Sequence, residues 1–223
     1  MPVDLDSCQL LNAKRSPHFY LNSAKSTGKL ILLFIIKIKR GSVLLLQRIM
    51  RKLKTTELNR QKPEEYRYKE KWPVRIILDN VRSLHNIGSV FRTADAFSVE
   101  AIYLCGICAV PPNKEIHKTA LGATETVAWE YFETTDLAVA KVLSEGYTVV
   151  LVEQTDSSIS LTDFIYAGEK IALVFGNEID GVSDSILPLA AAAVEIPQFG
   201  TKHSLNISVC AGIVMYELFT NRK

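Results

Sequence analysis

The chain has 223 residues, of which 48% are hydrophobic and 22% are charged, a composition that predicts one soluble globular domain with a sizeable core. Its longest apolar run near the start, Leu30–Ile36, has seven residues, whereas a membrane-spanning helix needs roughly 20. The run is followed by Lys and Arg and not by a cleavage site, so we expect a cytoplasmic protein without a membrane segment.

Residues 1–49 show no sustained helical or strand period, and we interpret them as a poorly patterned N-terminal extension. A polar, basic stretch begins at Met50. We therefore hypothesise that Met50 is the native translation start and that residues 1–49 are not translated natively.

Residues 50–71 are predicted to form a basic helical arm with Thr56 as a plausible N-cap. The net charge of the chain changes from positive to negative near the end of this arm. Residues 1–71 hold 16 Lys and Arg against 6 Asp and Glu, whereas residues 72–223 hold 10 against 18. Such an arm is either a solvated surface or a segment that binds a polyanion such as nucleic acid.

From Val74 onward, short β-rich runs alternate with helical stretches. The expected strands are 74–80, 101–107, 126–132, 147–154, 170–178 and 192–197, and the expected helices are 86–98, 113–122, 134–146, 181–190 and 204–219. Nearly continuous apolar strands alternating with helices predict an α/β fold over residues 72–223, with a parallel sheet covered by helices on both faces.

Four cysteines are too few and too scattered for a disulfide framework, which favours a reducing compartment. Cys105 and Cys108 form a C-x-x-C, but they belong to an apolar run and have no second ligand pair. We predict that they are packing residues and that the protein holds no metal.

Three loops combine glycine with polar residues just after a predicted strand, where open α/β sheets bind ligands. They are 78–97, 173–187 and 196–206. Asn86 is expected to cap the first helix and Ser204 the last one. Neither a dinucleotide fingerprint nor a P-loop is present, which argues against a nucleotide-binding dehydrogenase.

Taken in order, the three loops resemble the motifs of the SpoU/TrmH branch of the SPOUT RNA methyltransferases. The family patterns are N-x-G-x-x-x-R, F-G-N-E-x-x-G and I-P-x-x-G-x-x-x-S-L-N. The matching residues are Asn86, Gly88 and Arg92; Phe175, Gly176, Asn177, Glu178 and Gly181; and Ile196, Pro197, Gly200, Ser204, Leu205 and Asn206.

The resemblance implies a C-terminal trefoil knot (the α/β-knot) whose loops hold S-adenosyl-L-methionine. The residues implied at the cofactor are Val152, Phe175, Gly176, Ile196, Gly200, Ser204 and Leu205. Backbone groups near Gly176, Ile196 and Leu205 are expected to meet the adenine, and a bulky residue at Gly176 is expected to fill the adenine's space.

The implied reaction methylates a ribose 2′-hydroxyl of RNA. Arg92 is implied at that hydroxyl; because a guanidinium is a poor base at neutral pH, we assign it phosphate binding and charge stabilisation, and leave the base open. Asn86, Glu178, Ser204 and Asn206 are expected to supply hydrogen bonds. Lys202 and His203 are either phosphate contacts or simple surface residues.

The resemblance also implies a homodimer that packs through the last helix and shares Arg92 between subunits, with Gly212 allowing close approach. The RNA is expected to be tRNA, with rRNA as the alternative. A catalytically silent RNA-binding or assembly factor is a further alternative, which the presence of Asn86 and Arg92 disfavours.

Overall fold

The computed structural model describes residues 51–221 and, within residues 19–48, the backbone of three strands. The hypothesised start at Met50 and the residues before Phe19 lie outside the described residues. The chain divides into two compact units, residues 1–60 and residues 61–223.

The first unit contains an antiparallel sheet in the order β1-β2-β3. Its strands are β1 (Phe19–Ser26), β2 (Lys29–Ile38) and β3 (Gly41–Arg48). No regular structure was predicted for residues 1–49 from the sequence. The strands escaped detection because β2 and β3 carry continuous apolar runs, which lack the alternation by which half-buried strands are recognised.

The basic arm contains two short helical segments where one helix was predicted. A 3-10 helix spans Thr55–Leu58, and α1 spans Pro63–Arg67. The N-cap position of the first is Lys54, so the prediction of Thr56 was wrong. Asn59 ends this turn in the left-handed conformation, with φ of 46°, and Pro63 opens α1, where proline is tolerated because the first helical N–H needs no partner.

The second unit is built on a seven-stranded sheet in the order β6-β5-β4-β9-β7-β10-β8, in which every neighbouring pair is parallel. The strands are β4 (Trp72–Asp79), β5 (Val99–Cys105), β6 (Ala128–Phe132), β7 (Thr148–Val152), β8 (Ile159–Ser160), β9 (Ile171–Phe175) and β10 (Ala192–Glu195). Six of them were predicted. The sequence analysis missed β8, which has only two residues.

Four α-helices follow the predicted order: α2 (Leu84–Ala96), α3 (Lys114–Ala120), α4 (Thr135–Ser144) and α5 (Ile207–Asn221). The segment predicted as a helix at 181–190 instead forms a 3-10 helix, Asp184–Leu189, which contains Pro188. Two further 3-10 helices are Ala123–Glu125 and Leu161–Asp163.

Two predicted helix caps were wrong. The side chain of Ser83 accepts from the backbone N–H of Asn86 and caps α2, so Asn86 lies inside the helix. Asn206, and not Ser204, precedes α5: its side-chain oxygen accepts from the N–H of Ser208 at 3.0 Å, as an N-cap asparagine does. The side chain of Asn86 is therefore not used as a helix cap, whereas Asn206 caps α5 through its Oδ1.

Helices cover both faces of the sheet, as predicted. One core cluster joins Ile76 and Leu78 of β4 to Phe91 of α2 and Met215 of α5. The other joins the alternate residues of the sheet, such as Ile77, to α4. The side chains of successive strand residues point to opposite faces, which is why adjacent positions of β4 enter different clusters.

Cys105 and Cys108 are free and buried, as expected of packing residues. The thiol of Cys108 donates to the carbonyl of Leu78 at 3.3 Å and accepts from the N–H of Val81 at 3.1 Å. Burial raises the pKa of Cys105 far above its usual range and that of Cys108 to about 11. Among the described residues, no helix is long and apolar enough to cross a membrane.

Candidate active site

A cavity of about 390 Å³ opens at the carboxyl ends of three neighbouring strands. Val194 of β10 pairs with Val152 of β7, and Val152 pairs with Phe175 of β9, so the residues after these strands emerge side by side. The lining residues are 152–154, 175–181, 194–196, 203–205, Gln198, Ile207 and Cys210. The cavity therefore lies where an open α/β sheet binds its ligand.

Most of the residues expected at the cofactor line this cavity. They are Val152, Phe175, Gly176, Ile196, Ser204 and Leu205. Gly200 is exposed and not among the lining residues, and apart from Gly200 itself and its two chain neighbours no atom of the described residues lies within 4 Å of where its Cβ would be. Lys202 also stays outside the lining, whereas His203 contributes to it, and the carbonyl of His203 accepts from Gln154 Nε2 at 3.2 Å.

The three motif loops meet at the side chain of Asn86. Its Nδ2 donates to Oε1 of Glu178 at 2.7 Å, and its Oδ1 accepts from Nδ2 of Asn206 at 3.1 Å. Asn86 comes from α2, Glu178 from the loop after β9, and Asn206 from the residue before α5. Residues separated by 92 and 120 positions in the chain are thus joined at the rim of the cavity.

The loop after β9 closes tightly on itself. The backbones of Asn177 and Gly181 exchange two hydrogen bonds, of 3.1 and 3.2 Å, and Asn177 Oδ1 accepts from the N–H groups of Ile179 and Asp180 at 3.0 Å each. A Cβ on Gly176 would lie 2.0 Å from the carbonyl carbon of Gly181. Gly176 is therefore required by the loop's own backbone, in addition to any need of the adenine.

Gly88 serves helix packing. A Cβ at this position would lie 2.1 Å from Thr119 Oγ1 and 2.3 Å from the carbonyl oxygen of Ile116, both in α3. Only a glycine lets α3 approach α2 this closely. The motif glycine thus fixes the position of the helix that carries Asn86 and Arg92.

Arg92 does not reach the cavity of its own chain. It is exposed, it lies six residues beyond Asn86 on α2, and it is not among the lining residues. Six residues of α-helix correspond to about 9 Å along the axis and a rotation that turns the side chain well away from Asn86. Among residues 51–221, no hydrogen bond or ion pair of the structure involves its side chain.

The cavity carries an excess of negative charge. Its lining includes the carboxylates of Glu153, Glu178, Asp180 and Glu195, and it includes neither Lys nor Arg. Because like charges repel in a partly desolvated site, this lining favours a cationic ligand and disfavours a phosphate-bearing one. Cys210 also lines the cavity, and burial together with nearby Glu153 raises its thiol pKa to about 11, so this thiol is uncharged near neutral pH.

Two carboxylates that the sequence analysis overlooked contact the loop after β9. Glu153 accepts from the N–H of Val182 at 3.0 Å, and Asp79 accepts from the N–H of Ser183 at 2.7 Å. Each follows or ends an apolar strand, β7 or β4, which was the available signal. Among the described residues, no group of three or more His, Cys, Asp or Glu could hold a metal ion.

The fold and the cavity together define an α/β protein with a cavity for a small ligand at the carboxyl edge of a parallel sheet. The family follows from comparison with known sequences. Residues 73–216 match the SpoU rRNA Methylase family, so the chain belongs to it, and the resemblance drawn from the three motifs is confirmed.

Relatives within the family act on different RNAs. The chain is 32% identical over 152 residues to the tRNA (guanosine(18)-2'-O)-methyltransferase of Aquifex aeolicus, a match that covers 66% of this chain and 69% of that protein. It is 34% identical over 145 residues to the 23S rRNA (guanosine-2'-O-)-methyltransferase RlmB of Neisseria meningitidis serogroup B, covering 65% of this chain and 57% of that protein.

Solved structures show the same fold. The Aquifex aeolicus TrmH/SpoU tRNA modifying enzyme aligns with a TM-score of 0.64 and 27% identity, over 71% of this chain and 80% of that one. The AdoMet-bound rRNA methyltransferase of Sinorhizobium meliloti aligns with a TM-score of 0.62 and 27% identity, over 69% and 59% of the two chains. These neighbours confirm the parallel α/β fold.

Proposed function

We propose that the protein transfers a methyl group from S-adenosyl-L-methionine to a ribose 2′-hydroxyl of RNA. The observation that carries this proposal is the junction of Asn86, Glu178 and Asn206 at the rim of the cavity, because it brings together one polar residue from each family motif. Family membership and the named activities of the relatives support the same reaction.

The cavity suits this cofactor in shape and in charge. Val152, Phe175, Ile196 and Leu205 offer apolar surface to the adenine, and the carboxylates of the lining suit a ligand with a positive sulfonium. The related Sinorhizobium meliloti enzyme has been solved with AdoMet bound. When bound, the cofactor supplies an activated methyl group on a good leaving group; the protein's residues orient the ribose and manage its proton.

Asn86, Glu178 and Asn206 fix the geometry of the site. The amide of Asn86 donates to Glu178 and accepts from Asn206, so it holds the loop after β9 against the start of α5. Ser204 lines the cavity and can donate or accept a hydrogen bond there. We assign these four side chains to positioning of the ribose and the loops.

Arg92 acts on the RNA. A guanidinium is a poor base and a good partner for phosphate and for developing alkoxide charge. Arg92 is not among the lining residues, and within residues 51–221 neither Lys nor Arg lines the cavity, so a second subunit would have to supply the cation.

A homodimer would supply that cation. α5 exposes an apolar stripe of Val209, Ile213 and Tyr216, which are 52%, 39% and 58% exposed and lie on one helical face. Thr93, next to Arg92, packs near Gly212 of the same α5, so the stripe and Arg92 lie on neighbouring helices. A Cβ on Gly212 would lie 3.9 Å from Thr93 Cγ2, an ordinary contact inside one chain, and the close approach of two copies of α5 at Gly212 stays a prediction.

We also propose that the segment from β10 to α5 forms the trefoil knot of the family. The side-by-side placement of the loops after β7, β9 and β10 around one cavity supports this topology. The finding that Cys105, Cys108 and Cys210 are free supports a reducing compartment, and we propose the cytoplasm.

Transfer RNA is the proposed substrate. The tRNA-modifying relative, at 32% identity, supports this proposal, and the rRNA-modifying relative, at 34% identity, keeps rRNA as the alternative. Mapping 2′-O-methyl nucleotides in total RNA with and without the gene tests this proposal. Loss of one site in a tRNA supports it, loss of a site in rRNA changes the substrate, and an unchanged map contradicts the function.

A further inference from the structure

The loop that carries Gly176 and Glu178 is held from outside by two carboxylates that belong to none of the three motifs. We infer that Asp79 and Glu153 are positioning residues that fix the 176–183 loop by accepting hydrogen bonds from consecutive backbone N–H groups, those of Ser183 and Val182. The consequence for cofactor binding rests on the proposed function. The clamp itself, by which we mean the hydrogen bonds from Asp79 and Glu153 to the 176–183 loop, does not.

Asp79 ends β4 and is fully buried. Its Oδ2 accepts from the N–H of Ser183 at 2.7 Å, and its Oδ1 accepts from Thr135 Oγ1 at 2.5 Å and from Asn80 Nδ2 at 2.8 Å. No Lys or Arg is paired with it among residues 51–221. All three partners are donors, so both oxygens of the carboxylate are committed as acceptors, and only one of them reaches the loop.

Glu153 follows β7 and lines the cavity. Its Oε2 accepts from the N–H of Val182 at 3.0 Å, and its Oε1 accepts from its neighbour Gln154 at 2.9 Å. The same carboxylate lies where a side chain on Gly181 would project, with Oε2 2.4 Å from that Cβ position, and Gly181 has a φ of 69°. The glycine therefore lets Glu153 reach the loop backbone.

An amide cannot replace either carboxylate. In each case both oxygens accept from N–H or O–H groups, whereas Asn or Gln has one acceptor oxygen and one NH₂ donor. Whichever way the amide turns, its NH₂ faces a donor. In Asp79→Asn the pair of donors at Oδ1 favours the amide oxygen there, so the NH₂ meets the N–H of Ser183 and the loop loses its anchor.

Thr135→Val provides the matched control. Valine keeps the shape of the buried threonine and removes one donor to Oδ1, but it leaves the contact between Oδ2 and Ser183 in place. Both variants are expected to lower the melting temperature, because each disturbs the same buried carboxylate. Only Asp79→Asn is expected to release the loop.

Hydrogen exchange across residues 176–183 measures the clamp directly, and calorimetry with S-adenosylmethionine measures its consequence. We expect Asp79→Asn and Glu153→Gln to speed exchange at Val182 and Ser183 and to weaken cofactor binding by roughly tenfold, as the loss of a buried hydrogen bond does. Thr135→Val is expected to change both by less than about threefold.

Three outcomes separate the claims. Equal exchange in Asp79→Asn, Thr135→Val and the wild type would overturn the clamp. Faster exchange in Asp79→Asn without weaker cofactor binding would overturn the role of the clamp at the cofactor. If Asp79→Asn does not fold, Glu153→Gln, at a half-buried position, still provides the exchange readout that tests the clamp, whereas its binding readout also includes the loss of one negative charge from the cavity. A wild-type protein that binds no S-adenosylmethionine but shows the exchange difference would refute the proposed function and leave the clamp standing.

Discussion

The contact between Asn86 and Glu178 gives the sharpest test of the site, because replacing the amide of Asn86 by a carboxylate turns an attractive interaction into a repulsive one. In Asn86→Asp the 2.7 Å hydrogen bond to Glu178 is lost and two carboxylates meet, whereas the contact from Asn206 survives because aspartate also accepts. A hydrogen bond to a charged group contributes about 2 kcal/mol, and repulsion between two charges about 4 Å apart at this exposed rim adds roughly 1–2 kcal/mol. Together they predict a fall in kcat of roughly 300-fold.

Asn86→Ala loses both hydrogen bonds, about 2 kcal/mol for the one to Glu178 and about 0.5 kcal/mol for the exposed one between two neutral amides, but it introduces no repulsion, so its kcat should fall only about 70-fold. The assay is methyl transfer to RNA at saturating cofactor, with melting temperatures recorded in parallel. Asn113→Asp is the matched control: Asn113 caps α3, and aspartate caps helices equally well, so its activity should stay near that of the wild type. An Asn86→Asp enzyme as active as Asn86→Ala would refute the argument from charge.

Three further predictions concern the arginine, the charge of the cavity and the arm. Arg92→Ala should keep cofactor affinity within a few fold and lower methyl transfer by roughly 10²-fold. Mixing this protein with a Gly176→Leu protein should restore activity. An inactive mixture with confirmed subunit exchange would contradict a shared site. S-Adenosylmethionine should bind at least roughly threefold more tightly than its uncharged-sulfur product at low salt, and calorimetry should show this preference shrinking as salt rises; a constant ratio would remove the role of the acidic lining. Neutralising Lys52, Lys54 and Arg60 should flatten the salt dependence of RNA binding by up to roughly one unit of slope per lost phosphate contact, and an unchanged slope would assign RNA binding elsewhere.

The sequence predicted the sheet of the second unit because its strands are short, nearly continuous apolar runs that alternate with helical stretches. It also predicted which loops meet, since the carboxyl ends of parallel strands lie at one edge. The caps of α2 and α5 were predicted wrongly because Ser, Asn and Thr near a helix start are interchangeable by type, and only the structure shows that Ser83 and Asn206 take these positions.

Other features depend on contacts that no local pattern reveals. The reason for Gly176 lies in the backbone of Gly181, and the role of Asp79 depends on Ser183, more than a hundred residues away. The outward direction of Arg92 depends on how α2 is rotated against its neighbours. Motif spacing identified Gly176 and Arg92 as important but could not say what each one touches, and it gave no indication of Asp79.

Incubation of the purified protein with S-adenosylmethionine labelled on its methyl group and with separate tRNA and rRNA fractions tests the central claim most directly. Complete nuclease digestion then shows which nucleoside carries the label. The account predicts label in a 2′-O-methyl nucleoside from the tRNA fraction. With the Asn86→Asp protein it predicts well under a tenth of the label that the wild type transfers. Label on a base, or no transfer to either fraction by a protein that binds the cofactor, would contradict it.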